Sequence, residues 1–400
     1  MINWKRWCLG LLLTGALAGG SVITGFAQDQ AAEKNEDAPK EEAKKEEPKK
    51  EEPKAEEKKA EEKKPDAPAA EKKEDKPAEK PAEAAAGPKF RESIIHLDNP
   101  SGVCVHPTTG HLFVSSRQGV FRLIPGKPPK IYLEVTGFPT DIYGKGPMYN
   151  IGPLGVTLWG NDRLIVSDGS RKDAEELVRI YKVADAPPAK PNTEDSAEFT
   201  LGPIPAGEVS EKGEGNFYAS VVWNDAIYIT SNGDDTKGWI VKSEIKDGKP
   251  GALTGAIATK VETEVDAPIA IAISPDKSQL VVGQGGEVNV PGDALLTFYG
   301  ADGKLAKKLK ANLHDITGLA YSPSGKLYAT DFAWADTKQG GLFELVIEGE
   351  EVKPKKILSL DRPTALAFDK EGGLYITVFS LGKDTGENPA GGLIRLEPGL

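Results

Sequence analysis

Short apolar runs separated by turn residues follow one another along most of the chain. Two stretches about fifty residues apart show the pattern, HDITGLAYSPSGKLYATDFA from His314 and RPTALAFDKEGGLYITVFS from Arg362. In each, a polar step precedes an apolar run that contains a small residue, and a tight turn leads into a second apolar run. Runs of this length, without a long helical period between them, predict β-strands joined by turns.

The same unit occurs six times. The opening runs are SGVCVHP, LGVTLWG, YASVVWN, IAIAISP, TGLAYSP and TALAFDK. A second and a third apolar run follow each of them. The equivalent small residues are separated by 53, 64, 51, 48 and 47 positions: Gly102, Gly155, Ala219, Ala270, Gly318 and Ala365. A period of about fifty residues with three or four short strands per unit predicts an all-β fold, a six-bladed β-propeller.

A second column of small or β-branched residues stands two positions later in each unit. Its members are Cys104, Thr157, Val221, Ala272, Ala320 and Ala367. On the innermost strand of each blade, we expect this column at the place where neighbouring blades crowd around the axis. Cys104 is then a buried small apolar residue and not a redox group.

The N-terminal end of the repeat region predicts how the ring closes. The last unit ends at Leu400 after its third strand, and the extended segment FRESIIHL, Phe90 to Leu97, precedes the first unit. We expect this segment to supply the outer strand of the last blade, because closure removes an exposed sheet edge. The propeller is therefore predicted to span residues 89–400.

Three stretches resemble the repeats of known propeller families. SGVCVHPTTGHLFVSS, APIAIAISPDKSQLVVG and RPTALAFDKEGGLYIT are similar to repeats of the NHL, TolB-like and gluconolactonase-like six-bladed propellers. The resemblance covers Phe90 to Leu400 and implies the same fold. It leaves the activity open, because enzymes and binding proteins share this repeat.

Residues 1–27 have the pattern of a signal peptide. Lys5 and Arg6 precede the apolar run CLGLLLTGALAGG, and small residues lead up to Ala27. A retained membrane anchor is the alternative, although the run is rich in glycine and marginal in length for a bilayer. We expect cleavage after Ala27, no transmembrane span afterwards, and an exported protein in the periplasm, the cell envelope or the extracellular medium.

Composition predicts a disordered linker over residues 28–88. This segment is almost entirely Glu, Lys, Pro and Ala, and it has too few apolar residues to offset the entropy of ordering. The formal net charge of −11 and the lack of a basic cluster after Gly87 argue against nucleic acid as a partner. Because Cys8 would leave with the signal peptide, Cys104 would stand alone and no internal disulfide would form. We expect a monomer.

The loops that enter the first strands carry the first set of candidate binding residues. Four of them occupy the same position in their repeats, two residues before the strand begins: Asp98, Asp266, His314 and Asp361. Asp315 and Arg362 each come one residue later. The ring would gather them around the channel mouth, where facing carboxylates would favour a bound cation. The alternative is that each aspartate only accepts hydrogen bonds from turn N–H groups.

The loops between second and third strands carry the second set. Five of the six are lengthened and polar, which is typical of a binding rim. Their candidate ligand-binding residues are Asp168, Asn232, Asp234 and Trp334. Trp334, like Phe332 and Phe379, could stack on a sugar or a peptide, or it could pack as a plug over the loops.

The gluconolactonase-like resemblance implies a divalent cation such as calcium. In that family a Glu, Asn residues and an Asp hold the ion, and Glu214 and Asp331 resemble its Glu and its Asp. Asn216, which stands where the family's Glu-Gly-Pro entry has proline, is a third candidate metal ligand. Ile269 and Thr317 stand where the family has asparagine. No catalytic residue can be assigned, since neither a Gly-x-Ser-x-Gly motif nor a phosphate-binding loop is present.

Two functions therefore remain open from the sequence. The first is an exported module that binds a protein, a small molecule or a carbohydrate through the loop-rich face of the propeller. The second is a metal-dependent hydrolase, a lactonase or esterase of the gluconolactonase kind. Metal content and lactone hydrolysis would discriminate between them.

Overall fold

Each of the six repeats folds into one sheet of antiparallel strands, so the predicted six-bladed β-propeller is confirmed. The structure is a computed structural model that describes residues 90–144, 146–233, 236–288, 290–386 and 389–400. The predicted signal peptide, residues 1–27, and the predicted linker, residues 28–88, lie outside the described residues.

Four strands build each of the first three blades, in order from the channel outward. Blade 1 comprises Gly102–Val105, Leu112–Ser116, Gly119–Ile124 and Lys130–Thr136. Blade 2 comprises Gly155–Trp159, Arg163–Ser167, Val178–Lys182 and Phe199–Leu201. Blade 3 comprises Ser220–Trp223, Ala226–Ser231, Trp239–Lys246 and Thr254–Ala258.

The other three blades follow the same plan. Blade 4 comprises Pro268–Ile273, Gln279–Gln284, Leu295–Gly300 and Leu305–Lys310. Blade 5 comprises Ile316–Tyr321, Leu327–Asp331, Gly341–Glu348 and Glu351–Ser359. Blade 6 comprises Asp361–Phe368, Leu374–Ser380, Gly392–Leu396 and, outermost, the N-terminal strand Phe90–His96.

A few short elements lie outside this plan. Asn192–Thr193 pairs in parallel with the outer strand of blade 1, and Lys249–Pro250 pairs with the third strand of blade 3. A separate hairpin consists of Asp141–Tyr143 and Tyr149–Ile151. In the described ranges the helices are Thr259–Thr263 and the 3₁₀ turns Glu194–Ser196 and Thr337–Gln339, and none is long and apolar enough to cross a membrane.

The N-terminal strand closes the ring as predicted. Phe90–His96 runs antiparallel to Gly392–Leu396, with Phe90 opposite Leu396 and His96 opposite Gly392. The Leu97 N–H extends the pairing by donating to the Gly391 carbonyl at 2.9 Å. The last blade thus takes its outer strand from the opposite end of the repeat region, and its third strand gains a partner on the side that would otherwise be an open edge.

Apolar side chains are buried between the blades. In the described residues they form six clusters, and each cluster joins two neighbouring blades around the ring. The cluster between blades 6 and 1, for example, packs Ile95 and Leu97 against Val103, Leu112 and Leu393. Each blade is therefore stabilised by burial of apolar area against both of its neighbours.

The first column of small residues lies where neighbouring blades approach each other closely. A Cβ on Gly102 would lie 2.5 Å from the Leu154 carbonyl oxygen of blade 2, and one on Gly318 would lie 3.0 Å from the Ala365 Cα of blade 6. Both columns line the central channel, because residues two apart on a strand face the same way.

Hydroxyl groups on the first two strands of the blades tie neighbouring blades together. Thr230 Oγ1 donates to the Ile269 carbonyl at 2.6 Å, Thr317 Oγ1 to Pro363 at 2.9 Å and Thr364 Oγ1 to Pro100 at 2.7 Å. These bonds join blade 3 to blade 4, blade 5 to blade 6, and blade 6 to the entry of blade 1. They satisfy carbonyl groups that the inner edge of each sheet would otherwise leave without a donor.

Leu97→Ala tests how much the closing segment contributes. Leu97 is 4 % exposed, and its truncation should lower the free energy of unfolding by about 2–4 kcal/mol, because it removes apolar contacts and leaves a cavity. Urea unfolding followed by tryptophan fluorescence measures this loss. Ile131→Ala is the matched control, since Ile131 is 44 % exposed on the outer strand of blade 1. Equal, small effects of both changes would mean that the closing segment adds little to the ring.

Candidate functional site in the central channel

A cavity of about 950 Å³ occupies the central channel. The inner strands of all six blades line it, and so do both sets of loops that the sequence indicated. Asp266 and Asp315 come from the entry loops, and Asn232 and Trp334 come from the loops between second and third strands. Phe379 lies at the end of the second strand of blade 6. A concave site of this size at the axis of the fold is where a small-molecule ligand would be bound.

The hairpin of residues 141–151, called the crossing hairpin from this point on, extends over one end of the channel. It connects the outer strand of blade 1 to the inner strand of blade 2, yet its tyrosines contact side chains of blades 3, 5 and 6. Gly144 allows the close approach, because a Cβ there would lie 2.6 Å from Cζ2 of Trp334. Its φ of 131° is also one that other residues rarely adopt.

Aromatic rings form one wall of the cavity. Phe332 and Trp334 of blade 5 stack with their centroids 5.0 Å apart. Tyr149 of the crossing hairpin lies 5.1 Å from Trp334 and 5.4 Å from Phe379 in edge-on arrangements. Such edge-to-face contacts are favourable and hold the rings in place. Phe332, Trp334 and Phe379 therefore pack against the hairpin and line the cavity at the same time.

The opposite wall, at blades 2 and 3, is polar. Asn232 Nδ2 donates to the Tyr143 hydroxyl at 3.3 Å, and the Tyr143 ring meets the Tyr218 ring edge-on at 6.2 Å. Asp173 and Asn216 lie further along the same wall, and Asn216 Nδ2 donates to Asp173 Oδ1 at 3.1 Å. The cavity thus has one aromatic side and one side of amide, hydroxyl and carboxylate groups.

Buried carboxylates stand directly behind the polar wall. Glu214 accepts the Ser231 hydroxyl at 2.5 Å, and Glu176 accepts the backbone N–H of Asn216. Burial raises the pKa of Glu176 to about 9 against the opposing effect of that N–H, and the charges of Asp168, Asp173 and Asp141 raise it further. Glu176 therefore holds a proton at neutral pH unless a cation compensates its charge.

Four of the sequence-predicted ligand-binding residues line the cavity. They are Asp266, Asp315, Asn232 and Trp334. Asp266 forms an ion pair with Lys260 at 2.9 Å and accepts the Ala267 N–H at 2.7 Å. Asp315 accepts the Trp334 N–H at 2.6 Å. Each of these two aspartates thus accepts a hydrogen bond from a backbone N–H group and also lines the cavity.

Five other predicted residues, all within the described ranges, lie outside the cavity lining. Asp98 pairs with Arg117 at 2.5 Å, Asp361 pairs with Arg362 at 3.0 Å, and His314 Nδ1 lies 3.2 Å from Asp331. The Arg362 guanidinium lies over the Tyr149 ring, 5.6 Å from its centroid.

Asp168, the fifth, is wholly buried, and hydrogen bonds from Ser170, Arg171 and Arg179 hold its carboxylate. These contacts hold the blade 2 loop together. Asp234, the remaining predicted residue, lies outside the described residues.

The cation ligands implied by the resemblance do not come together. Glu214 and Asn216 flank Gly215 between blades 2 and 3. Asp331 belongs to blade 5, where its carboxylate accepts the backbone N–H groups of His314 at 3.1 Å, Asp315 at 2.8 Å and Ala333 at 3.2 Å. In the described part of the chain, no group of three or more His, Cys, Asp or Glu residues is arranged to hold a metal ion.

Sequence reasoning overlooked several residues of the cavity and of the layer behind it. Tyr143 and Tyr149 belong to a connection between blades 1 and 2 that the repeat does not include, so no register pointed to them. Asp173 and Glu176 lie in the stretch SDGSRKDAEE, where only the length and polarity of the loop were noted. The two tyrosines flanking the Gly-Lys-Gly-Pro turn were the available signal for a hairpin.

Comparison with known proteins supports the fold. No family model and no curated protein matches the chain. Among solved structures, the PQQ-bound aldose sugar dehydrogenase from Streptomyces coelicolor is 17% identical, covers 79% of this chain and 99% of its own, and has a TM-score of 0.54. A proposed oxidoreductase (glucose dehydrogenase) from Thermus thermophilus is 16% identical, covers 77% and 100%, and has a TM-score of 0.52.

A gluconolactonase from Xanthomonas campestris is also similar, with 16% identity, coverage of 76% of this chain and 88% of its own, and a TM-score of 0.49. At these identities the first two likenesses show the propeller fold and leave the activity of this chain open.

Asp315→Asn tests the electrostatics of the channel. Burial raises the pKa of Asp315 from its ordinary 3.8 to about 6, opposed by the Trp334 N–H and reinforced by Asp331. The folded state therefore holds a proton that the unfolded chain has lost, and the wild type loses stability as the pH rises from about 4 to above 6. The variant should be more stable than wild type at pH 8, by up to about 2–3 kcal/mol, and equal to it near pH 4.

Thermal denaturation across this pH range measures the difference, and Asp361→Asn is the control. Burial acts to raise the pKa of Asp361, but the hydrogen bonds with Arg362 and Ser380 and the charge of Arg362 together outweigh burial and lower it. Removing the Asp361 carboxylate should therefore destabilise the protein at pH 8, whereas Asp315→Asn should stabilise it. If Asp315→Asn also destabilised at pH 8, Asp315 would be a turn acceptor whose charge the fold requires.

Proposed function

We propose that the protein is an exported propeller that binds a small, ring-containing polar molecule in its central channel. The observation that supports this proposal is the division of the cavity into an aromatic wall and a polar wall. Aromatic faces cover the apolar surface of a ring, while amide and carboxylate groups accept or donate hydrogen bonds to its substituents. A carbohydrate has both kinds of surface, and we propose it as the ligand class.

Trp334 is the residue that this proposal makes most important. It lines the cavity and stacks on Phe332, which fixes its ring. Its indole Nε1 is buried, and among the described residues it has no hydrogen-bond acceptor. Buried donors are almost always paired, so a ligand oxygen is the partner that the proposal assigns to it.

Ligand binding can be tested by calorimetry and tryptophan fluorescence with a panel of monosaccharides, disaccharides and aldonolactones. Trp334→Leu removes ring and donor, and it should weaken binding by about tenfold or more, the scale of one aromatic contact and one hydrogen bond. Trp334→Phe keeps a ring without the donor and should fall between this variant and wild type. Trp159→Leu is the control, since Trp159 is not among the residues lining the cavity.

Two results would contradict the carbohydrate proposal. One is that no member of the panel binds to wild type, and the other is that Trp159→Leu weakens binding as much as Trp334→Leu. Hydrolysis of the lactones by wild type would instead favour the metal-dependent hydrolase, which predicts a loss of activity with Glu214→Gln.

Export rests on the sequence of residues 1–27. When the gene is expressed in its own host, the mature protein should begin after Ala27 and should be recovered from the envelope or the medium. N-terminal sequencing of the purified protein and cell fractionation measure both. An intact Met1 on a protein that stays in the cytoplasmic fraction would overturn the proposal of export and leave the ligand proposal untouched.

A further inference from the structure

The central cavity continues beyond the aromatic and polar walls. Every inner strand begins at the end of the channel that the crossing hairpin covers, and it runs toward the opposite end. The cavity follows these strands to the last residue of the inner strand in blades 1, 4 and 5, which is Val105, Ile273 and Tyr321. From Gly102 to Val105 the chain advances by about 10 Å, at about 3.3 Å per residue. Below the upper section, which contains the two walls, the cavity thus has a lower section.

The charged side chains of the cavity lie in its upper section. Among the described residues that line the cavity, every charged side chain belongs to the crossing hairpin, an entry loop or a loop between second and third strands. Asp141, Asp173 and Asp315 represent these three origins in the order hairpin, loop and entry loop. Charge is therefore confined to the end of the channel where the polar wall lies.

The lower section is lined by neutral and mostly apolar side chains. All six members of the second column of small residues line it, from Cys104 to Ala367, and the three strand-end residues named above complete it. The polar side-chain groups in this described lining are the Cys104 thiol and the hydroxyls of Thr157 and Tyr321. Because small residues recur on all six strands, the space is elongated along the channel axis.

Two titratable groups indicate that the lower section solvates charge poorly. Burial raises the pKa of Cys104 to about 12, although a hydrogen bond with the Phe113 backbone acts against it. Burial also raises the pKa of Tyr321 to about 12, and the charge of Asp276 acts in the same direction. Both shifts disfavour a charged group in this part of the channel. An alkyl chain loses no solvation of charge there and gains from leaving water.

We propose that the ligand carries an unbranched alkyl chain, which occupies the lower section while its polar ring lies between the aromatic and polar walls. The position of the ring rests on the proposed function. One continuous cavity of about 950 Å³ joins the two sections, so a single molecule can reach both. The order of the linings, polar and aromatic above and neutral below, matches an amphiphile with a sugar ring at one end. The ligand class is therefore an alkyl glycoside rather than a free sugar.

Alkyl β-D-glucopyranosides with chains from methyl to octyl are the probes, each kept below the concentration at which it forms micelles. Calorimetry on the wild type should show the affinity rising by about two- to fourfold for each added CH₂, because each one buries more apolar surface. 1-Octanol, which has the chain without the ring, should also bind, but more weakly than octyl glucoside. This second probe measures the lower section independently of the carbohydrate proposal.

Ala320→Leu fills part of the lower section and leaves the upper section unchanged. Ala320 is half-buried and lines the cavity on the inner strand of blade 5. The variant should lose at least tenfold of the gain in affinity from methyl to octyl glucoside and keep the wild-type affinity for methyl glucoside. Ala306→Leu is the matched control, since Ala306 is exposed on the outer strand of blade 4. Should Ala320→Leu fail to fold, Ala367→Val, a smaller addition on the next blade, decides the question.

The results separate the two proposals. Methyl glucoside that binds as tightly as octyl glucoside would overturn the alkyl chain and leave the carbohydrate proposal standing, with water on the backbone groups of the inner strands filling the lower section. If 1-octanol bound and Ala320→Leu weakened it, while no sugar bound, the chain site would stand and the carbohydrate proposal would fall. Wild type that bound neither octyl glucoside nor 1-octanol, or a full gain with chain length in Ala320→Leu, would overturn the chain site.

Discussion

The close approach of the six inner strands around the channel axis is the constraint that every blade has to meet. At Gly102 and Gly318 there is no room for a side chain against the neighbouring blade, so a small residue must recur once per repeat. Hydroxyl groups such as those of Thr317 and Thr364 then bond the carbonyls of the next inner strand. The ring can close only because these contacts and the apolar clusters between blades are satisfied all the way round.

A ring built in this way leaves a channel, and the loops decide the chemistry of that channel. The repeat supplies small residues along its walls, whereas the crossing hairpin brings in Tyr143 and Tyr149 from outside the repeat. Because the hairpin extends across the channel end, rings from blades 3, 5 and 6 pack against it. The hairpin between blades 1 and 2 therefore contributes a tyrosine to the aromatic wall and another to the polar wall.

Acidic residues in equivalent positions have different roles because their surroundings differ. Asp98 and Asp361 each form an ion pair with an arginine. Asp315 is buried beside Asp331, no arginine in the described part of the chain forms an ion pair with it, and its pKa is raised. Glu176 lies deeper still and close to Asp173, and its pKa is raised further. The register of the repeat places such groups near the channel, but burial and the nearest counter-charge decide which of them can bind anything.

The number of blades, the strand order and the closing segment could be read from the amino-acid order alone, because short apolar runs and small residues are local features that recur with every repeat. Both loop sets that line the cavity could be identified in the same way, and with them Asp266, Asp315, Asn232 and Trp334. Three other facts needed the folded chain: which predicted acids pair with arginines, where Asp331 directs its carboxylate, and that Asp173 meets Glu176 beside Gly215. They depend on contacts between blades and loops that the repeat does not contain, and pairwise distances of a few ångströms are not encoded in any local pattern.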